Sequence, residues 1–209
     1  MITGMIRIPL HCLVVSAIVA IAAPARAIAA MTRYVVEPAQ CELITFVAEP
    51  LTHFQKSAVG NFAVRSGEIS GDPASPASGA SVKLVFDSSS YSSGNTRLDR
   101  VVTHTVLDSA DYPDITFKST GLQDVAIDQT GAGGSALVNG ELTLRGETRS
   151  MSALVSVVLE GQNELVARGE VTFRYPKFGL PVPAGFLGLF HASDQVTVKF
   201  RIVAKRAAS

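Results

Sequence analysis

A period of two runs through most of this chain. Apolar residues alternate with partners of another kind in eight separate stretches, and only an extended strand puts every second side chain on one face. Ile44 and Phe46 flank Thr45, and Phe62 and Val64 alternate with Asn61, Ala63 and Arg65. Val82, Leu84 and Phe86 alternate with Ser81, Lys83 and Asp87, and Ile115 and Phe117 with Thr116 and Lys118. Longer series follow: Ala136, Val138, Gly140, Leu142 and Leu144; Met151, Ala153, Val155, Val157 and Leu159; Val171, Phe173 and Tyr175; and Val196, Val198, Phe200, Ile202 and Ala204. Leu122–Asp128 is a candidate ninth strand.

Turn chemistry separates these stretches. Gly71-Asp72-Pro73 through Ser78-Gly79 reads as one loop and Gly131-Ala132-Gly133-Gly134 as another. Arg145-Gly146-Glu147 and Gly161-Gln162-Asn163 are short enough for hairpins. Only one segment has helical spacing. Leu98, Val101, Val102, Thr105 and Val106 form one stripe, with Asn95 or Thr96 placed to cap it. The fold class is therefore all-β: an antiparallel barrel of eight strands or slightly more, with one short helix near 96–107. Short sequential connections favour a meander barrel over a Greek-key sandwich.

An eight-stranded barrel either fills itself or holds one small ligand. Phe46, Phe62, Val64, Phe86, Phe117, Leu142, Leu144, Phe173, Tyr175 and Phe200 belong to the expected inward set. No charged residue interrupts those series, so the interior offers little to a sugar or a nucleotide. It suits a hydrocarbon, at roughly 0.8 kcal/mol per buried CH₂. Alternation alone leaves two interiors open: a packed core, or a cavity around a ligand.

Composition removes other classes. The 209 residues hold 18 Lys+Arg against 18 Asp+Glu, which denies the chain the basic face a nucleic-acid binder needs. The apolar share of 47% is too high for intrinsic disorder. The first thirty residues stand apart. Arg7 precedes an apolar run from Ile8 to Ala23, and Pro24-Ala25-Arg26-Ala27 has the small-residue pattern of a cleavage site. Residues 1–27 read as a cleaved secretory signal, and 28–209 as one domain destined for the periplasm or the medium. Cleavage removes Cys12 and leaves Cys41 alone, as a quiet, half-buried thiol at a strand start.

Nothing suggests catalysis or a resident cofactor. His53, His104 and His191 lie far apart, each without a second ligand at metal-binding spacing. Ser88-Ser89-Ser90 has no nucleophile-elbow pattern around it. Asp108, Asp111 and Asp114 read as solvated carboxylates at a helix end. Residues 176–194 are unusual: three Pro and three Gly exclude a regular element, yet Phe178, Leu180, Val182, Phe186, Leu187, Leu189 and Phe190 must leave water. Such a segment folds over a barrel end as a lid, touches a membrane or partner, or forms a dimer surface. Phe186 and Leu189 join the expected ligand-binding set on that basis.

Four short motifs stand in order along the chain. Tyr34-Val35-Val36-Glu37-Pro38 leads to Ile44-Thr45-Phe46, followed by Val59-Gly60-Asn61-Phe62 and Pro113-Asp114-Ile115-Thr116-Phe117-Lys118-Ser119. Val138-Asn139-Gly140-Glu141-Leu142-Thr143-Leu144-Arg145-Gly146-Glu147-Thr148 completes the set. Together with Phe178-Gly179 and the closing strand, they resemble the YceI family over about 33–204. The resemblance implies a lipocalin-like barrel that binds an isoprenoid-type lipid, a polyprenyl or quinone chain, in the periplasm as carrier or reservoir. It also implies, in some members, a membrane b-type cytochrome as partner, while transient membrane contact is the expectation from residues 176–194. The chain departs from the family pattern at Cys41 and at Leu107–Pro113, which lacks a Phe-Phe pair. A lipid-free structural or stress-response module with a closed hydrophobic core is the alternative function.

Overall fold

The fold was analysed in a computed structural model. It describes residues 31–47, 58–72, 79–161, 163–181 and 194–208. Expectations for residues 1–27, His53, His191, Phe186 and Leu189 lie outside the described residues.

Ten strands form one antiparallel sheet: β1 (Thr32–Val36), β2 (Glu42–Val47), β3 (Ala58–Asn61), β4 (Val64–Gly71), β5 (Ser81–Asp87), β6 (Asp114–Ile127), β7 (Gly133–Leu144), β8 (Glu147–Glu160), β9 (Glu164–Arg174) and β10 (Gln195–Arg206). Strands β4 to β10 run as a meander, each paired with the next. β1 pairs with both β4 and β10, and this closes an eight-stranded barrel. Closure leaves no free edge along the meander, where an open sheet would expose a row of unpaired backbone groups. The two remaining strands extend existing lanes. β2 continues past β1 along β10, pairing with Val196–Arg201 where β1 pairs with Ala204–Arg206, and β3 pairs with β2.

Residues predicted as one strand, Phe62 with Val64, thus flank a break. Ala63 accepts from the Asp87 backbone N–H and donates to Ser90 Oγ, so neither of its backbone groups joins the β3 or β4 ladder. Leu122–Asp128 is not a separate strand. It continues β6 through two register shifts, at Ser119/Gly121 and at Gln123/Ala126.

Hairpin β7–β8 turns on Arg145 and Gly146, with φ of 47° and 77°. Two consecutive left-handed residues match the twist of the flanking strands. The segment between β5 and β6 carries α1 (Thr96–Arg100), whose first turn is capped by Asn95 Oδ1, accepting from the N–H groups of Arg97 and Leu98. The helix widens into a π turn over Val101–Val106. That widening moves the apolar stripe: Val102, Val106 and Leu107 face the barrel interior, while Leu98 does not line it. Arg145 ties the end of this segment to the β7–β8 turn through the Val106 carbonyl and Asp108, each at 3.5 Å.

The three clustered aspartates go to separate partners. Asp108 pairs with Arg145 and Asp114 with Arg65, while Asp111 donates its backbone N–H to the Asp108 carbonyl. Among the described residues, no group of three His, Cys, Asp or Glu side chains converges, and no helix is long and apolar enough to cross a membrane.

Candidate functional site: an apolar barrel cavity

Cross-strand partners in an antiparallel sheet share a face, so register tells which series points inward. Leu84 pairs with Phe117, Phe117 with Leu142, and Val155 with Gly169. These rows enclose a cavity of about 600 Å³, within the ~300–1,000 Å³ range of small-molecule sites. Nearly all of its lining is apolar. Of the expected set, Phe62, Phe86, Phe117, Leu142, Leu144, Phe173, Tyr175 and Phe200 line it.

Val64 points into the same barrel opposite Phe86, but belongs to the packed core and does not reach the cavity. Phe46 is a correction. It sits on the outer face, with Lys199 Nζ 5.3 Å from its ring centroid. The cause is phase. In β1 the even residues Thr32, Tyr34 and Val36 are buried, whereas in β2 the odd residues Leu43, Thr45 and Val47 line the cavity. The short 3₁₀ turn Pro38–Gln40 and its flanks shift the alternation between them. Pairing with β10 then follows: Leu43 meets Phe200, Thr45 meets Val198, and Phe46 meets the outward Thr197. Leu43 to Val47 is apolar in both phases except for Thr45, and Thr45 tolerates burial because its hydroxyl donates to the Gly60 carbonyl at 3.0 Å.

Glycines on the inner wall shape the cavity. A Cβ on Gly140 would lie 2.4 Å from Phe117 Cζ, and one on Gly169 would lie 2.5 Å from Phe200 Cζ. Each Phe ring thus lies flat over a glycine instead of reaching across the barrel. Tyr91 does the same over Gly60, where a Cβ would stand 2.2 Å from its ring. At these positions the missing side chain gives the ring its room against the wall.

The two ends of the cavity differ. At the end where β4 finishes, Ser70, Asp72 and Gly131–Ser135 border it. At the other end Val102, Val106 and Leu107 close over it together with Tyr91 and Tyr175. Phe178 packs there with its ring edge-on to Phe173, centroids 5.2 Å apart, and is 1% exposed. In the described part of the 176–194 segment, the apolar side chains of Phe178 and Leu180 are buried as expected. Sequence reasoning missed Thr45, Tyr91 and the odd series of β2. Tyr91 lies outside any alternating run, and the only signal for it was an aromatic within a run of serines.

Cys41 is the quiet thiol expected. Sγ lies 3.3 Å from both the Glu37 carbonyl and the Val203 N–H, and burial pushes its pKa up, so the reactive thiolate is disfavoured. Cys41→Ser keeps both hydrogen-bonding roles and is expected to change stability by about 1 kcal/mol or less, read from the urea midpoint. A shift several times larger would show that the sulfur packs in a way no hydroxyl replaces.

Comparison with known proteins agrees with this architecture. In solved structures the barrel is similar to BcnA of Burkholderia cenocepacia, at TM-score 0.62 and 20% identity, covering 80% of this chain and 98% of that one. It is also similar to a polyisoprenoid binding domain from Saccharophagus degradans implicated in plant cell wall breakdown, at TM-score 0.61 and 15% identity, covering 83% and 98%. A Campylobacter jejuni YceI protein matches at TM-score 0.55 and 18% identity, covering 76% and 91%. No curated protein matches the chain. The model of the YceI-like domain matches residues 34–204, from the first strand of the barrel to the last, and the chain belongs to that family.

Proposed function

We propose that this protein is exported and carries an isoprenoid-type lipid, a polyprenyl or quinone chain, inside its barrel. The observation that carries this reading is the cavity of about 600 Å³ with its nearly continuous apolar lining. A closed core would instead be packed to crystal-like density with few voids larger than a water molecule. Family membership and the polyisoprenoid binding domain among its structural neighbours support the same reading. The amino-terminal segment with its cleavage pattern supports export. A carrier of this kind binds its cargo without chemical change and exchanges it with a membrane or a membrane-bound acceptor such as a b-type cytochrome.

The test is transfer of a fluorescent polyprenyl analogue between the purified protein and liposomes. Saturable uptake, and release that rises with acceptor liposome concentration, are the expected results. A folded barrel that takes up no analogue after extraction with detergent would overturn the proposal in favour of a lipid-free module.

A further inference from the structure

The charges at the two ends of the barrel are not alike. At the end that carries the β5–β6 segment, most acids are spent on internal partners. Asp87 and Asp114 pair with Arg65, Asp108 with Arg145, Glu147 with Arg149 and Asp194 with Arg174. Asp99 accepts from the Ser93 N–H at 2.7 Å and from its hydroxyl at 2.6 Å. Three cations at this end meet no carboxylate among the described residues. Arg97 and Arg100 stand exposed on α1, three residues apart and so adjacent on its surface. Lys177 stands exposed on the turn after β9, with Nζ 2.7 Å from the Ser150 carbonyl. Against these three stands Asp111, an exposed acid that no described cation meets.

The opposite end has the reverse balance. Asp124 and Asp128 on the β6–β7 hairpin and Glu160 at the end of β8 are exposed, and no described cation pairs with them. Glu160 also faces Glu164 directly across β8 and β9, a like-charge pair that costs stability. Arg33 and Lys205 at that end are taken by Glu68 and Glu37, which leaves Arg206 as its unpaired cation.

The segment that carries the two arginines has a second role. Val102, Val106 and Leu107 line the cavity, while Arg97 and Arg100, just before them, face water. One stretch of chain is thus basic outside and wall of the cavity inside. Tyr112, 39% exposed, lies at the same end with its ring over Gly146. A tyrosine with an apolar body and a wet tip suits the boundary between water and lipid headgroups. Each Arg or Lys near an anionic lipid surface strengthens binding about fivefold, and the same surface repels the acidic far end, so the two ends together orient the molecule.

We propose that the protein docks on anionic phospholipid with its α1 end, through Arg97, Arg100 and Lys177, with Tyr112 in the headgroup layer beside them. The inference rests on the carrier reading, which gives the protein a reason to meet a membrane, and adds which face does so. Docked in this way, the segment that walls the cavity is the one set against the lipid.

The test is flotation of the purified exported protein with vesicles of phosphatidylcholine alone, or of phosphatidylcholine with an equal part of phosphatidylglycerol. Binding is expected to the mixed vesicles only, and to fall as salt is raised, two readouts that need no variant. Arg97→Gln combined with Arg100→Gln should weaken binding about 25-fold, the product of two such contacts. Arg33→Gln, at the far end, should leave it unchanged. Equal binding to both vesicle types, no binding to either, or full binding by the double variant would overturn the inference. Transfer of the fluorescent polyprenyl analogue to the same vesicles separates the two readings. Transfer that ignores vesicle charge and both arginines would overturn the docking face and leave the carrier reading intact. Charge-dependent binding without any uptake of the analogue would bear out the docking face and overturn the carrier reading.

Discussion

Phe178→Ala is expected to destabilise the barrel by about 3–5 kcal/mol, the range for emptying a fully buried aromatic position. Phe178 is among the largest side chains with almost no exposure, and its edge-on contact with Phe173 adds to the area it buries. The backbone around it is built to hold it. Gly179 takes φ 62° to end the turn, and the Leu180 N–H returns to the Tyr175 carbonyl. Urea unfolding checks this: the midpoint should fall with little change in slope, as befits a change in stability alone. A loss below about 1 kcal/mol would mean that the turn after β9 adds little to the fold and that the barrel end is held by other contacts.

Gly140→Val has the second large effect, and it separates cavity from core. The new branched side chain would meet the Phe117 ring at 2.4 Å and the Lys118 carbonyl at 2.7 Å. The ring can yield only toward the barrel axis. The expected results are a cost of about 1–3 kcal/mol for overpacking and a marked loss of bound lipid. Gly121→Ala is the control, because a Cβ there meets nothing within 4 Å and φ is not left-handed. Stability is measured by urea unfolding and lipid content by mass spectrometry of an organic extract. Full lipid content in a folded Gly140→Val protein would show that Phe117 does not bound the ligand's space.

Most of the inner wall could be read from alternation, for a physical reason. Along most of β5 to β10 one face is buried and the other wet, so polarity and direction largely coincide; Val166 and Val203 are buried on the second face as well, and Leu154 stands exposed there. Leu84, Leu142, Val155 and Phe200 needed no further information. The reading failed at Phe46, where both faces of β2 are apolar and the phase depends on a three-residue turn. It also failed at Ala63, where alternation continues through a kink that splits β3 from β4. The glycine niches were visible only as residues that keep the period without a side chain. Gly140 counted in the inward series, but nothing in one strand reveals that the Phe of its neighbour lies over it. The hydroxyl of Thr45 was hidden more deeply, since a polar residue in a period-two pattern reads as outward unless its buried partner is known. Here that partner is a backbone carbonyl on the next strand.

The phases that alternation cannot choose are set by hydrogen bonding. The Tyr34–Arg206 and Val36–Ala204 pairs fix β1, and the Leu43–Phe200 and Val47–Val196 pairs fix β2, against one continuous β10. A strand whose own two faces look alike thus inherits its direction from a neighbour whose faces do not.

The central claim is that the interior holds a lipid, and the most direct measurement is the content of the purified protein. The protein is isolated from the exported fraction without detergent, extracted with organic solvent and analysed by mass spectrometry, with the amount of lipid set against the amount of chain. The account predicts an isoprenoid-type lipid at close to one molecule per barrel, absent from a mock purification. Repeated absence of any long-chain lipid from well-folded protein, with Gly140→Val altering stability alone, would contradict it.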